Sequence, residues 1–332
     1  MLKSIFVIIG TIIGAGFASG QEIYSFFNIY EENGLIGILL SCVIIGIVIY
    51  KVLTLSNEKS ISTYQELLEK IKIPVKIRLI LNAIINIFLL ISFYIMVAGF
   101  SAYFYQEFNI PKIITSIIIV ILCYITFMRN IEGIAKVNAI IIPILILIVL
   151  ALGIKVSTGN IIRNMDMDNI FPAFNWILKS IEYASYNSIL LIPILISLKK
   201  YSNNNEKKIS IISSGIFCVL SLIIYLLMFK INDINNIELP LVYIAGQYGS
   251  IFKITYSLVI VFAIYTTMIS AGYGFLNNTT KNKVNYKKMA LFICLSAIFI
   301  SYFSFSELVN LAYPIFGVLG FFQIAYLVLI RT

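Results

Sequence analysis

Apolar runs of about 20 residues recur along this whole chain, the length a helix needs to cross roughly 30 Å of hydrocarbon. Inside lipid every backbone N–H and C=O must find a partner within the protein, and runs of this length satisfy that as helices. Composition agrees: of 332 residues 60% are hydrophobic and 12% charged, with a mean hydropathy of +0.99, whereas a soluble domain averages about 25% charged. We read ten crossings, at about residues 3–30, 34–55, 76–105, 111–129, 132–154, 171–198, 209–230, 249–276, 287–304 and 307–330. The first run lacks a small-residue cleavage site and is read as a span, not a leader.

Basic residues orient these spans. Of 24 Lys and Arg, 18 fall on the side of the N-terminus, from Lys3 through Lys51, Lys136 and Lys199 to Arg331. Lys112, Lys155, Arg163, Lys179, Lys230 and Lys253 fall on the other. The positive-inside rule then predicts cytoplasmic termini in a multi-pass protein of the cell membrane. The net charge of +9 reports this topology, so the expected partners are the lipid bilayer and a small molecule, not nucleic acid. The sequence leaves protein partners open.

Two connecting segments read as structured. Residues 58–73 carry Tyr64, Leu67, Leu68 and Ile71 at helical spacing, which predicts a short amphipathic helix on the cytoplasmic surface. Residues 237–248 predict a counterpart on the outer surface, five spans later. Span 6 holds Ser180-Ile-Glu-Tyr-Ala-Ser-Tyr-Asn-Ser188, placing polar residues at mid-membrane, again five spans after a similar interruption in span 1. A repeat of five spans inserts with opposite orientation, so one polytopic domain is expected to divide into residues 1–155 and 156–332 as an inverted duplication.

The interruption in span 1 is Gly10-Thr-Ile-Ile-Gly-Ala-Gly-Phe-Ala-Ser-Gly-Gln-Glu22. Its glycines and small residues thin the helix on several faces, beyond what close helix packing needs. A break there exposes main-chain groups at mid-membrane, where secondary transporters hold substrate and ion. Glu22, ionisable and within the span, is expected to cap the outer half-helix, bind a substrate amine or carry a proton. Lys179 and Glu182 stand at i, i+3 and read as an internal ion pair or, with Glu22 and Glu307, as an outer gate. Tyr183, Ser185, Tyr186 and Asn187 flank the interruption in span 6, and Tyr94 on span 3 is a further candidate for touching substrate.

The Gly10–Ile23 motif resembles the first-helix signature of YkvI-type bacterial membrane proteins, permeases of amino acids in the amino acid–polyamine–organocation superfamily. The resemblance extends over the chain in length and span count. It implies the leucine-transporter (LeuT) fold: all-α, two inverted five-helix repeats, helices 1 and 6 broken. It also implies that Gly10, Gly14 and Gly16 are that fold's first-helix glycines. The N–H groups of Gly14, Ala15 and Gly16 would then take a substrate carboxylate, with Ser19 close by. By the same resemblance a Na+ ion would take the carbonyls of Gly10, Ile13 and Ala263 and the hydroxyls of Thr266 and Thr267. Phe17 replaces an Asn that completes a second sodium site in some relatives. No Lys stands in the interior of span 5, Ala139 to Gly153, where some proton-coupled relatives carry one.

The expected function is a secondary active transporter of a small amino acid or related zwitterion, coupled to sodium and working by alternating access. Proton coupling is one alternative, and a small-molecule sensor or receptor subunit that binds without transporting is another. Enzymatic chemistry is not expected. There is no His, no clustered acidic pair and no Cys in a polar setting, and Cys42, Cys123, Cys218 and Cys294 lack metal-ligand spacing. No cofactor is expected beyond Na+ as coupling ion.

Overall fold

The structure, a computed structural model, describes residues 1–70, 73–129, 132–157, 175–199, 202, 204–229, 237–280 and 282–329, and every element among them is helical. In order they are α1 (Leu2–Ile12), α2 (Ala15–Ser19), α3 (Gln21–Phe26), a 3-10 turn (Asn28–Tyr30), α4 (Glu32–Glu58), α5 (Tyr64–Lys70) and α6 (Val75–Phe108). There follow α7 (Lys112–Met128), α8 (Glu132–Ser157), α9 (Asn175–Ser197), α10 (Glu206–Met228), α11 (Pro240–Gln247), α12 (Ser250–Thr279), α13 (Lys283–Ile300) and α14 (Phe305–Leu329). Among the described residues α4, α6, α10, α12 and α14 are long and apolar enough to cross a membrane, and α7 and residues 140–155 form shorter apolar helices. Ile140, Leu147 and Ile154 along α8, and Phe292 and Phe299 along α13, are exposed. An apolar exterior of that extent belongs in lipid.

Two sets of helices pack most closely among themselves: α1, α4, α9 and α10 in one, and α6, α7, α12 and α13 in the other. α14 joins them, lying against both α9 and α6. Its approach to α9 depends on small residues. A side chain at Gly317 would meet the backbone of Glu182, and one at Gly320 would overlap the Ser185 carbonyl. Without a hydrophobic force between helices in lipid, such close backbone contact is how they associate.

Span 1 is broken twice. α1 stops at Ile13 (φ −81°, ψ 78°), Gly14 is extended, and the Gly14 amide turns back to the Ile12 carbonyl at 3.0 Å. α2 ends at Gly20, whose φ of +85° is left-handed and suits glycine. Ser19 serves this second break: its hydroxyl donates to the Gly16 carbonyl at 2.7 Å and accepts from the Gln21 amide at 3.1 Å.

Span 6 differs from expectation, since α9 runs unbroken from Asn175 to Ser197, with Pro193 inside it. Its polar side chains bond back to the preceding turn instead of opening it: Ser180 to the Trp176 carbonyl (2.6 Å), Asn187 to Tyr183 (2.9 Å) and Ser188 to Ala184 (2.7 Å). With no glycine between 180 and 188, nothing favours leaving the helix. The amphipathic segment forms α5, but Leu67 and Leu68 are buried against the protein and the Tyr64 hydroxyl accepts from Gln323 of α14 at 2.9 Å. Ile71 lies outside the described residues. The second connecting segment forms α11, opened by Pro240 and buried through Leu241, Val242 and Ile244.

Candidate functional site

The break between α1 and α2 faces a cavity of about 310 Å³. Gly14, Ala15 and Gly16 form one wall, and α9 supplies Tyr186 and Asn187. From the other helix set, α6 contributes Phe88 and Ser92, and α12 contributes Thr267 and Ser270. Both helix sets therefore share one space. Leu89 and Met96, on either side of the middle of α6, also border it, as do Ile194 near the end of α9 and Tyr313 in the first half of α14.

An aromatic cluster, called the seal below, packs beside this space. Phe26 stacks on Tyr186 with ring centroids 5.8 Å apart, and Tyr183 packs edge-on to Phe26 and Phe27 at 5.1 and 4.9 Å. The Tyr256 hydroxyl donates to the Ala18 carbonyl, and Leu241 of α11 sits where a Gly20 side chain would go. These contacts tie α2 and α3 to α9, α11 and α12.

Glu22 closes the break from within. It is 3% exposed, and its carboxylate accepts from the Tyr186 hydroxyl and the Phe17 backbone amide. A Cβ at Gly16 would overlap this carboxylate and come within 3.1 Å of the Tyr313 hydroxyl. Gly16 is thus small because Glu22 folds back over it. By contrast a Cβ at Gly14 would meet no atom within 4 Å.

Of the residues expected at substrate, Gly14, Ala15, Gly16, Tyr186 and Asn187 border the cavity, while Ser19, Tyr94, Tyr183 and Ser185 do not. Ser19 is spent on the second break. Tyr94 turns to α13, its hydroxyl 2.8 Å from that of Ser296. Tyr183 stands behind the cavity in the aromatic seal, and Ser185 faces α14 through its carbonyl. Of the expected ion ligands, Gly10 and Thr267 border the cavity, whereas Ile13, Ala263 and Thr266 lie outside its lining. Thr266 donates to the Ala263 carbonyl at 3.1 Å, keeping those two oxygens adjacent.

Lys179 and Glu182 pair at 2.6 Å, with the ammonium 5.9 Å from the centre of the Phe26 ring, at the edge of the seal. Glu307 is elsewhere: exposed at the start of α14, it accepts from the Ser304 amide (3.3 Å) while its own amide donates to the Ser304 hydroxyl (3.1 Å), a reciprocal helix cap. The sequence reading missed Tyr313, Phe88, Ser92, Thr11 and Ser270 at the cavity. Ser270 follows Thr267 by three residues, so helical spacing could have found it; Tyr313 carries no such signal.

The fold and this site together define an all-helical multi-pass membrane protein with a cavity at a broken first span. No family model matches the chain. Uncharacterized protein YyaD of Bacillus subtilis (strain 168) is 28% identical over 99% of this chain and 96% of its own. Uncharacterized membrane protein YkvI of the same organism is 25% identical over 94% and 90%. Among solved structures, the substrate-bound outward-open state of a Na+-coupled sialic acid symporter aligns with a TM-score of 0.58 over 96% of this chain and 75% of that one. At 15% identity this is a likeness of fold.

Proposed function

We propose that the chain is a secondary transporter of a small amino acid or related zwitterion, driven by sodium. The observation that carries this reading is one cavity shared by two helix sets, with a packed aromatic cluster beside it. The fold shared with a sodium-coupled symporter supports it. Alternating access follows if the set of α1, α4, α9 and α10 rocks against α6, α7, α12 and α13, opening the aromatic seal as the far side closes. The two five-helix halves, 1–155 and 156–332, supply the symmetry for such exchange.

In this reading the free amides of Ala15 and Gly16 take the substrate carboxylate, and Tyr186 and Asn187 shape the pocket. Sodium, as co-substrate, sits between the carbonyls of Gly10, Ile13 and Ala263 and the hydroxyls of Thr266 and Thr267. Neutral oxygens suit a weakly held hard cation. The Lys179–Glu182 pair belongs to the outer gate. Uptake of labelled alanine into proteoliposomes tests this: an inward sodium gradient accelerates it, and Thr267→Ala lowers it about tenfold, the loss of one hydrogen-bond-strength contact. Equal uptake in choline, or uptake following a proton gradient instead, refutes sodium coupling. Saturable binding without counterflow refutes transport and leaves a sensor.

A further inference from the structure

Glu22 is the only charged side chain bordering the cavity among the described residues. None of the ion pairs among them involves it. Its two partners, a phenol and a backbone amide, bring no formal positive charge. Holding those two donors needs an acceptor oxygen and no charge, so glutamine would serve equally well. A carboxylate at this depth costs more than a neutral amide unless a cation answers it.

The surroundings are made for one kind of cation. Tyr186 and Tyr313 stack at 4.8 Å and 18°, and Phe88 stands 6.5 Å from Tyr186, all three bordering the same space. Aromatic faces beside an acid are the chemistry that recognises an organic ammonium. We propose that the cavity is an ammonium site, whose ligand carries a positively charged nitrogen held between the Glu22 carboxylate and the rings of Phe88 and Tyr313. This deepens the transport reading, on which it rests for the idea that the cavity takes a small solute. It makes the amine the obligatory group and the carboxylate dispensable.

Thermal unfolding of the purified full chain in detergent tests this with three probes: alanine, ethylamine (alanine without its carboxylate) and propionate (alanine without its amine). Alanine and ethylamine raise the melting temperature by mass action and propionate does not. Glu22→Gln, which keeps the hydrogen bonds, weakens ethylamine binding about tenfold or more, as loss of a charge-assisted contact should. Propionate stabilising as well as alanine, no shift with either amine, or an ethylamine shift unchanged in Glu22→Gln each overturns the proposal. The wild-type probe series stands even if the variant folds poorly. Because binding alone is read, amine-dependent shifts without uptake would fault only the transport reading, and propionate-dependent shifts with uptake only this one.

Discussion

At the scale of single residues, the two glycines around the break look equivalent in sequence and are not. A methyl group at Gly16 would overlap the Glu22 carboxylate and crowd the Tyr313 hydroxyl, while at Gly14 it would enter open cavity. Gly16→Ala should therefore cost about 1–3 kcal/mol, as overpacking does. Gly14→Ala should stay within about 0.5 kcal/mol of wild type yet reduce solute binding, because its methyl occupies ligand space. Unfolding in detergent beside a binding titration separates the two, and equal melting temperatures would contradict the geometry. The glycine spacing was legible because it marks where a helix cannot stay regular. What each glycine makes room for was not, because Glu22 returns over Gly16 and Tyr313 arrives from a helix some 300 residues away. Such meetings leave no local pattern.

At the scale of helices, Glu307 and Ser304 form one reciprocal device at the start of α14, each satisfying an amide the helix leaves open. Ser304→Ala and Glu307→Ala should each destabilise by about 0.5–2 kcal/mol. The double variant should cost less than the sum, since either change already dissolves the pair. Uptake kinetics should not move. A Glu307→Ala variant with altered KM and unchanged melting would return this residue to the gate. Helix positions were readable at this scale because hydropathy and the hydrocarbon thickness fix length together, and the double interruption at Gly14 and Gly20 sits within the expected segment. Span 6 was not readable in the same way. Serine and asparagine signal either a broken helix or one that recaptures its own hydroxyls, and hydropathy cannot tell these apart; in α9 the second holds. α5 shows the same ambiguity for an apolar face, which buries against α9 and α14 and not in lipid.

At the scale of the whole molecule, the positions of seal and cavity make accessibility directional. Ser270 is exposed and borders the cavity, in the second half of α12. Ala18 is fully buried beneath Tyr256, beside the seal. With the four native cysteines replaced, Ser270→Cys should react with a membrane-impermeant thiol reagent applied from the face of the N-terminus and from no other. Ala18→Cys should react from neither face in the resting protein. If the two helix sets rock around the break, a saturating solute should redistribute these reactivities together: protection at position 270 would accompany exposure at 18, because one rigid movement closes the first path and opens the second. The coupling of the two changes is the diagnostic part. A binding protein that does not alternate would protect position 270 while leaving 18 inert. A pore would label both from opposite faces at once. Only alternation exchanges them, and the fraction exchanged at saturation measures how much more tightly the solute holds one state than the other.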